Sequence, residues 1–173
     1  MFFCRNTYTL GSNLQRVSRL IKIKPLEVSL AISLGVGGLS ALLTRDSMEE
    51  YATLNQPPLS PPGWVFPVVW TILFILMGIA AYLVWIENSP ERDKALWLYG
   101  VQLAFNFLWT IIFFNTERRG FALVWLVILW CLILATILRF RRESDTAWKL
   151  LVPYILWVTF AAYLNAGVWW LNR

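Results

Sequence analysis

Apolar positions in this chain do not alternate with polar ones and do not form a single stripe; they collect into long runs that are apolar on every side. Five runs stand out: about Leu26 to Thr44, Trp64 to Ile86, Ala95 to Phe114, Gly120 to Phe140 and Thr146 to Leu171. Each approaches or exceeds the ~18 to 20 residues that a helix needs to cross a hydrocarbon core roughly 30 Å thick. In lipid every backbone amide must be satisfied within its own segment, so the expected spanning element is the α-helix. The pattern predicts an all-α fold, an integral membrane bundle of five transmembrane helices. Prolines, glycines and charges gather in the breaks, as turns require. Short intervals between the second and fifth runs predict antiparallel neighbours in one bundle, and an odd number of spans speaks against two equal inverted repeats. The chain divides into residues 1–25, a basic N-terminal tail or targeting segment, and residues 26–173, the five-helix transmembrane domain.

Composition agrees with the runs. Apolar residues make up 58% of the 173 and charged residues 14%, against about 25% charged in an ordinary soluble domain. The net charge of +5 comes from Lys and Arg that lie almost entirely outside the runs. That distribution suits lipid headgroups; a nucleic-acid partner would call for a dense basic face, and none is present. With the N-terminus inside, the inner side holds the tail's basic residues together with Arg92, Lys94, Arg139, Arg141, Arg142 and Lys149. The outer side holds only Arg45, Arg118, Arg119 and Arg173. The positive-inside rule therefore puts the N-terminus inside and the Pro-rich loop before the second span outside. The tail, MFFCRNTYTLGSNLQRVSRLIKIK, has no acid before Glu27, which fits an organellar transit peptide or a basic tail on anionic lipid. The expected location is multi-pass, in a bacterial cell membrane or an organellar membrane.

Absent residues narrow the chemistry. There is no histidine, which removes the usual zinc ligand, proton shuttle and triad base; no metal site is expected. Cys4 and Cys131 do not make the disulfide framework of a small secreted domain. The centres of all five runs lack Asp, Glu, Lys and Arg, whereas ion-coupled transporters place ionisable groups at that depth. Driven transport is disfavoured; passive binding, or chemistry carried by a ligand and by indoles, stays open.

Eleven tryptophans sort by position. Trp64, Trp85, Trp97, Trp148, Trp169 and Trp170 fall near span ends, where indoles anchor at headgroup level. Trp70, Trp109, Trp125, Trp130 and Trp157 lie deeper. Gln102, Asn106 and Trp109 share one face of the third span by their i, i+4, i+7 spacing; Tyr154, Trp157, Ala161 and Asn165 share one face of the fifth, and Trp70, Phe74, Met77 and Ala81 one face of the second. Helix-to-helix hydrogen bonding would account for any single stripe. Three stripes of large flat rings favour an aromatic-walled cavity instead, because tight bundles prefer small residues at their contacts. The first span supplies those: Ser33, Gly37 and Ala41, with Gly35 and Gly38 beside them, suit close packing within the bundle or between subunits.

Three motifs in order carry a resemblance. Leu54 and Pro57, then SPPGWVFPVVWT from Ser60, Met77-Gly78 and YLVW from Tyr82 form the first. QLAFNFLW from Gln102 with Phe113-Phe114 forms the second, and PYILW from Pro153 with Phe160-Ala161 and Leu164-Asn165 the third. They resemble the second, third and fifth helices of the translocator protein family, also called tryptophan-rich sensory proteins (TspO/MBR) or peripheral benzodiazepine receptors. The match runs from about Leu26 to the C-terminus. The resemblance implies a five-helix bundle, a homodimer, and a pocket beneath the first loop for porphyrins, sterols or benzodiazepine-site ligands. By motif, the pocket positions it implies are Tyr51, Pro57, Trp70, Gln102, Asn106, Trp109, Trp157 and Ala161; the spacing argument adds Phe74 and Tyr154. The family's loop tryptophan is replaced here by Leu59. Ala166, Gly167 and Trp170 stand where its sterol motif would need a tyrosine and a base, so a sterol site by that route is unsupported.

The function expected from these readings is a membrane receptor or carrier that binds a protoporphyrin-type tetrapyrrole, or another flat hydrophobic molecule, in tetrapyrrole or stress regulation. Porphyrin would be a ligand, with no permanently bound cofactor. The missing histidine suits a metal-free porphyrin better than axially ligated haem. Two alternatives accompany this reading. One is light-dependent porphyrin degradation, for which Trp70 and Trp157 would be the catalytic indoles, since no acid–base pair is at hand. The other is facilitated movement of sterol, lipid or porphyrin.

Overall fold

A computed structural model describes residues 23–45, 47, 51, 53–115 and 118–173; of the N-terminal tail, residues 1–22 lie outside them and residues 23–25 already belong to the first helix. The helices are α1 (Ile23–Leu43), α2 (Val65–Trp85), α3 (Arg92–Asn115), α4 (Arg119–Glu143), α5 (Asp145–Leu150) and α6 (Val152–Leu171), and no strand occurs among the described residues. Among the described residues, five stretches are long and apolar enough to cross a membrane, with α5 and α6 together forming the fifth. The chain is a multi-pass integral membrane protein.

Proline sets several boundaries. Pro25 and Pro67 fall in the first turns of α1 and α2, where a missing N–H costs nothing. Pro153 falls inside the fifth run, which the hydropathy pattern reads as one helix, and the structure breaks that run at Leu151. Proline has no N–H for the carbonyl of Lys149 and its ring crowds that oxygen. The chain responds with a tighter turn, Leu151 N–H donating to the Trp148 carbonyl at 3.1 Å.

Consecutive spans touch, as the short intervals predict, but the bundle closes through pairs distant in sequence. α1 packs on α2, α2 meets α5, α5 and α6 pack on α4, α4 on α3, and α3 returns to α1. Small residues bring α1 and α2 together. A Cβ on Gly78 would lie 3.1 Å from the Leu30 Cα, and the Ser29 hydroxyl donates to the Gly78 carbonyl at 2.7 Å. The Phe74 ring sits over Gly37, 2.4 Å from where its Cβ would be. Ser33 and Tyr99 share a buried hydrogen bond of 2.6 Å that ties α1 to α3. Gly35 and Gly38, by contrast, face open space.

Tryptophans at the span ends sit as anchors do. Trp64, Trp97 and Trp170 are exposed, and cations cover several rings: Arg92 over Trp85, Arg141 and Lys149 about Trp148, and Arg173 3.5 Å from the centroid of Trp170. An indole in the interface and a cation reaching for headgroups are both favoured there.

Candidate functional site

The end of the bundle where α1, α3 and α6 finish and α2 begins holds a cavity of about 400 Å³. Its walls are α1 from Gly37 to Thr44, the first three turns of α2, the last turns of α3, and α6 from Trp157 to Asn165, with Arg45 and Tyr51 at the loop side. Rings make most of the surface. Trp70 lies 6.2 Å from Trp109 and 5.8 Å from Phe74; Trp109 stacks on Phe113 at 5.5 Å. Tyr51 bridges Phe66, Phe113 and Phe114 at 5.7–6.0 Å, and Phe66 meets Trp157 edge-on at 6.1 Å. Burial pushes the Tyr51 phenol above its ordinary value, so it stays neutral.

Of the residues singled out from sequence, Tyr51, Trp70, Phe74, Asn106, Trp109, Trp157 and Ala161 line this cavity. Gln102 and Tyr154 lie beneath it, almost wholly buried, with the Tyr154 hydroxyl donating to Gln102 Oε1 at 3.0 Å and accepting from Asn106 Nδ2 at 2.8 Å. They join α3 to α6 under the floor, and Trp70 caps Tyr154 edge-on at 6.2 Å. The polar members of the two stripes thus divide: Asn106 reaches the cavity, while Gln102 and Tyr154 hold its base together.

Pro57 lies behind the wall, buried against Gly167, whose Cβ would stand 2.5 Å from that of Pro57. Only glycine lets the loop seat this closely on α6. Other ties hold the same loop to α6: Tyr163 donates to the Pro58 carbonyl at 2.8 Å, and Asn172 pairs with both backbone groups of Asn55 at 3.0 and 2.9 Å. Between Pro57 and Ser60 the chain makes a turn closed by Ser60 N–H to Pro57 O at 3.3 Å, with Leu59 at φ 68°. That is the left-handed position of a type II turn, usually glycine. Leu59 is 82% exposed and outside the cavity wall.

The deep tryptophans separate by partner. Trp125 donates to the Phe105 carbonyl at 3.0 Å and stacks on that ring, and Trp130 donates to Thr159 at 2.9 Å. These two belong to helix contacts. Trp109 and Trp157, both at the cavity, have buried N–H groups with no partner. Asn165 is fully buried; with its amide oriented to satisfy both groups, it donates to the Arg119 carbonyl at 2.9 Å and accepts from Leu123 N–H at 3.3 Å, tying α6 to the first turn of α4. Sequence reasoning missed Phe66, Thr110, Phe113, Ser40 and Arg45 in the wall. The i, i+4 relation of Phe66 to Trp70 and of Trp109 to Phe113 was a usable signal; nothing in the pattern placed Arg45 at the mouth.

Known proteins are similar to this chain over most of its length. Residues 29–171 match the TspO/MBR family. The tryptophan-rich protein TspO of Chlorobaculum tepidum is 40% identical over 149 residues, covering 84% of this chain and 92% of that protein. The tryptophan-rich sensory protein of Cereibacter sphaeroides is 43% identical over 132 residues, covering 76% and 81%. The translocator protein of Homo sapiens is 39% identical over 144 residues, covering 82% and 85%.

Proposed function

The chain belongs to the TspO/MBR family, and from that premise we propose that it is a membrane receptor or carrier for a protoporphyrin-type tetrapyrrole held in the cavity beneath the Pro-rich loop. The observation that carries this reading is the wall itself: Trp70, Trp109, Trp157, Phe66 and Phe113 surround about 400 Å³ of space from three helices. Flat conjugated rings pair with such faces by offset and edge contacts. The volume falls within the range of small-molecule sites. The loop is seated on α6 beside this cavity by Gly167, Tyr163 and Asn172.

Photochemical breakdown of the ligand is the second reading, and it is favoured by one detail. Trp157 lines the cavity with an indole N–H that has no partner, and Trp70 faces the same space. Indoles so placed are electron donors to an excited ring.

Titration of the purified protein with protoporphyrin in darkness, followed by illumination, tests both. Saturable quenching of tryptophan fluorescence in the dark is expected, weakened severalfold in Trp70→Phe, in line with about 1 kcal/mol for an aromatic pair. Absence of saturable quenching sinks the binding reading. Light-dependent loss of porphyrin that disappears in Trp157→Phe supports the photochemical one, and binding with no such loss leaves a receptor or carrier.

A further inference from the structure

We infer that the cavity selects a ligand bearing a carboxylate at one edge, read by Arg45 at the mouth and by the Ser40 hydroxyl below it. This rests on the porphyrin reading and adds what ring walls cannot supply, discrimination among flat hydrophobic molecules. Four polar side chains in the wall are already engaged. The Thr44 hydroxyl donates to the Ser40 carbonyl at 2.9 Å, Thr110 to the Asn106 carbonyl at 3.1 Å, Asn106 to Tyr154 at 2.8 Å, and Asn165 is held by Arg119 and Leu123 of α4.

Two groups remain. Ser40 is 5% exposed, lines the cavity, and its hydroxyl has no hydrogen-bond partner. A buried hydroxyl left unpaired carries a desolvation cost that a ligand oxygen would relieve. Among the described residues Arg45 is the only charged one in the lining. The salt bridges among the described residues lie at the other end of the bundle and do not include it; Asp46, Glu49 and Glu50, the next acids along the chain, lie outside the described residues.

Position makes this pair chemically useful. Arg45 stands just past the end of α1, roughly 7.5 Å above Ser40 by helical rise, where an apolar cavity opens toward headgroups. A planar guanidinium there takes a carboxylate through two parallel N–H donors. A ligand can then keep its ring among the indoles while its acidic edge stays at the wet mouth. A neutral molecule of the same outline gains the ring contacts alone.

The test compares protoporphyrin IX with its dimethyl ester, which keeps the ring and loses both charges, by dark fluorescence titration of wild type, Arg45→Gln and Arg45→Lys. Wild type is expected to bind the free acid about fivefold more tightly than the ester, the scale of a solvent-accessible ion pair. Arg45→Gln should abolish that preference with ester affinity unchanged, which also shows that the variant is folded; Arg45→Lys should restore part of it. Equal affinity of wild type for the two compounds, or a preference that survives in Arg45→Gln, overturns the inference and leaves the porphyrin reading standing. Binding of neither compound overturns both.

Discussion

The hydroxyl of Tyr154 donates to Gln102 and accepts from Asn106 in a fully buried position, so removing one oxygen strands two amide groups at once. Tyr154→Phe is expected to destabilise the fold by about 1–2 kcal/mol, read as a lower melting temperature in detergent; an unchanged value would mean that water replaces the lost bonds. Leu59 presents the opposite case. It is exposed and held at φ 68°, a conformation costing a branched residue about 1–2 kcal/mol. Leu59→Gly relieves that strain and gives back part of the gain in unfolded-chain entropy. A net stabilisation of about 0.5–1 kcal/mol is expected in the same measurement. The tryptophans carry the lesson at this scale. Depth along a span could be read from the order of residues, which separated anchors from inner rings. The stripes and motifs also singled out Trp70, Trp109 and Trp157, which line the cavity; what residue order did not show is that Trp125 and Trp130 each find an acceptor on a neighbouring helix while Trp109 and Trp157 find none.

Helices here are positioned by where side chains are missing. Gly78 admits the backbone of α1 at Leu30 and Ser29, and Gly37 admits the Phe74 ring. Gly78→Leu would push α1 away and break the bond from Ser29, an overpacking cost of about 1–3 kcal/mol, and the melting temperature should fall accordingly. Gly35→Ala and Gly38→Ala meet nothing within 4 Å and should be neutral or raise it, since alanine improves helix propensity by about 1 kcal/mol. If all three substitutions destabilise alike, close approach at Gly78 is not what places α1. The glycine-rich stripe of the first span was visible in the sequence as a packing surface. Only the bundle shows that Gly37 and Gly78 meet neighbours while Gly35 and Gly38 do not, because a helix offers small residues to every direction and its partner occupies one of them.

For the molecule as a whole, most basic residues of the described chain gather at the end where α1 starts and α4 finishes, and the loop with Leu59 lies at the other, with Arg45, Arg118, Arg119 and Arg173. A single cysteine at position 59, with Cys4 and Cys131 replaced by serine, should react with a membrane-impermeant maleimide only from the face opposite the N-terminus. Labelling from the N-terminal face would reverse the orientation drawn from the positive-inside rule. That orientation, the number of spans and the all-helical class follow from chain-local quantities: apolar run length, backbone hydrogen bonding in lipid, and the side on which Lys and Arg fall. The family motifs and the inward stripes of the second, third and fifth spans are local in the same sense, since 3.6-residue periodicity needs no partner to be seen. The ring order of the helices, the seat of Pro57 on Gly167, the retreat of Gln102 and Tyr154 below the floor and the arrival of Arg45 at the mouth depend on contacts between residues far apart in the chain. Periodicity determines which way a side chain faces; only the packing of the other helices decides whether it faces a neighbour, a hydrogen-bond partner or an open cavity.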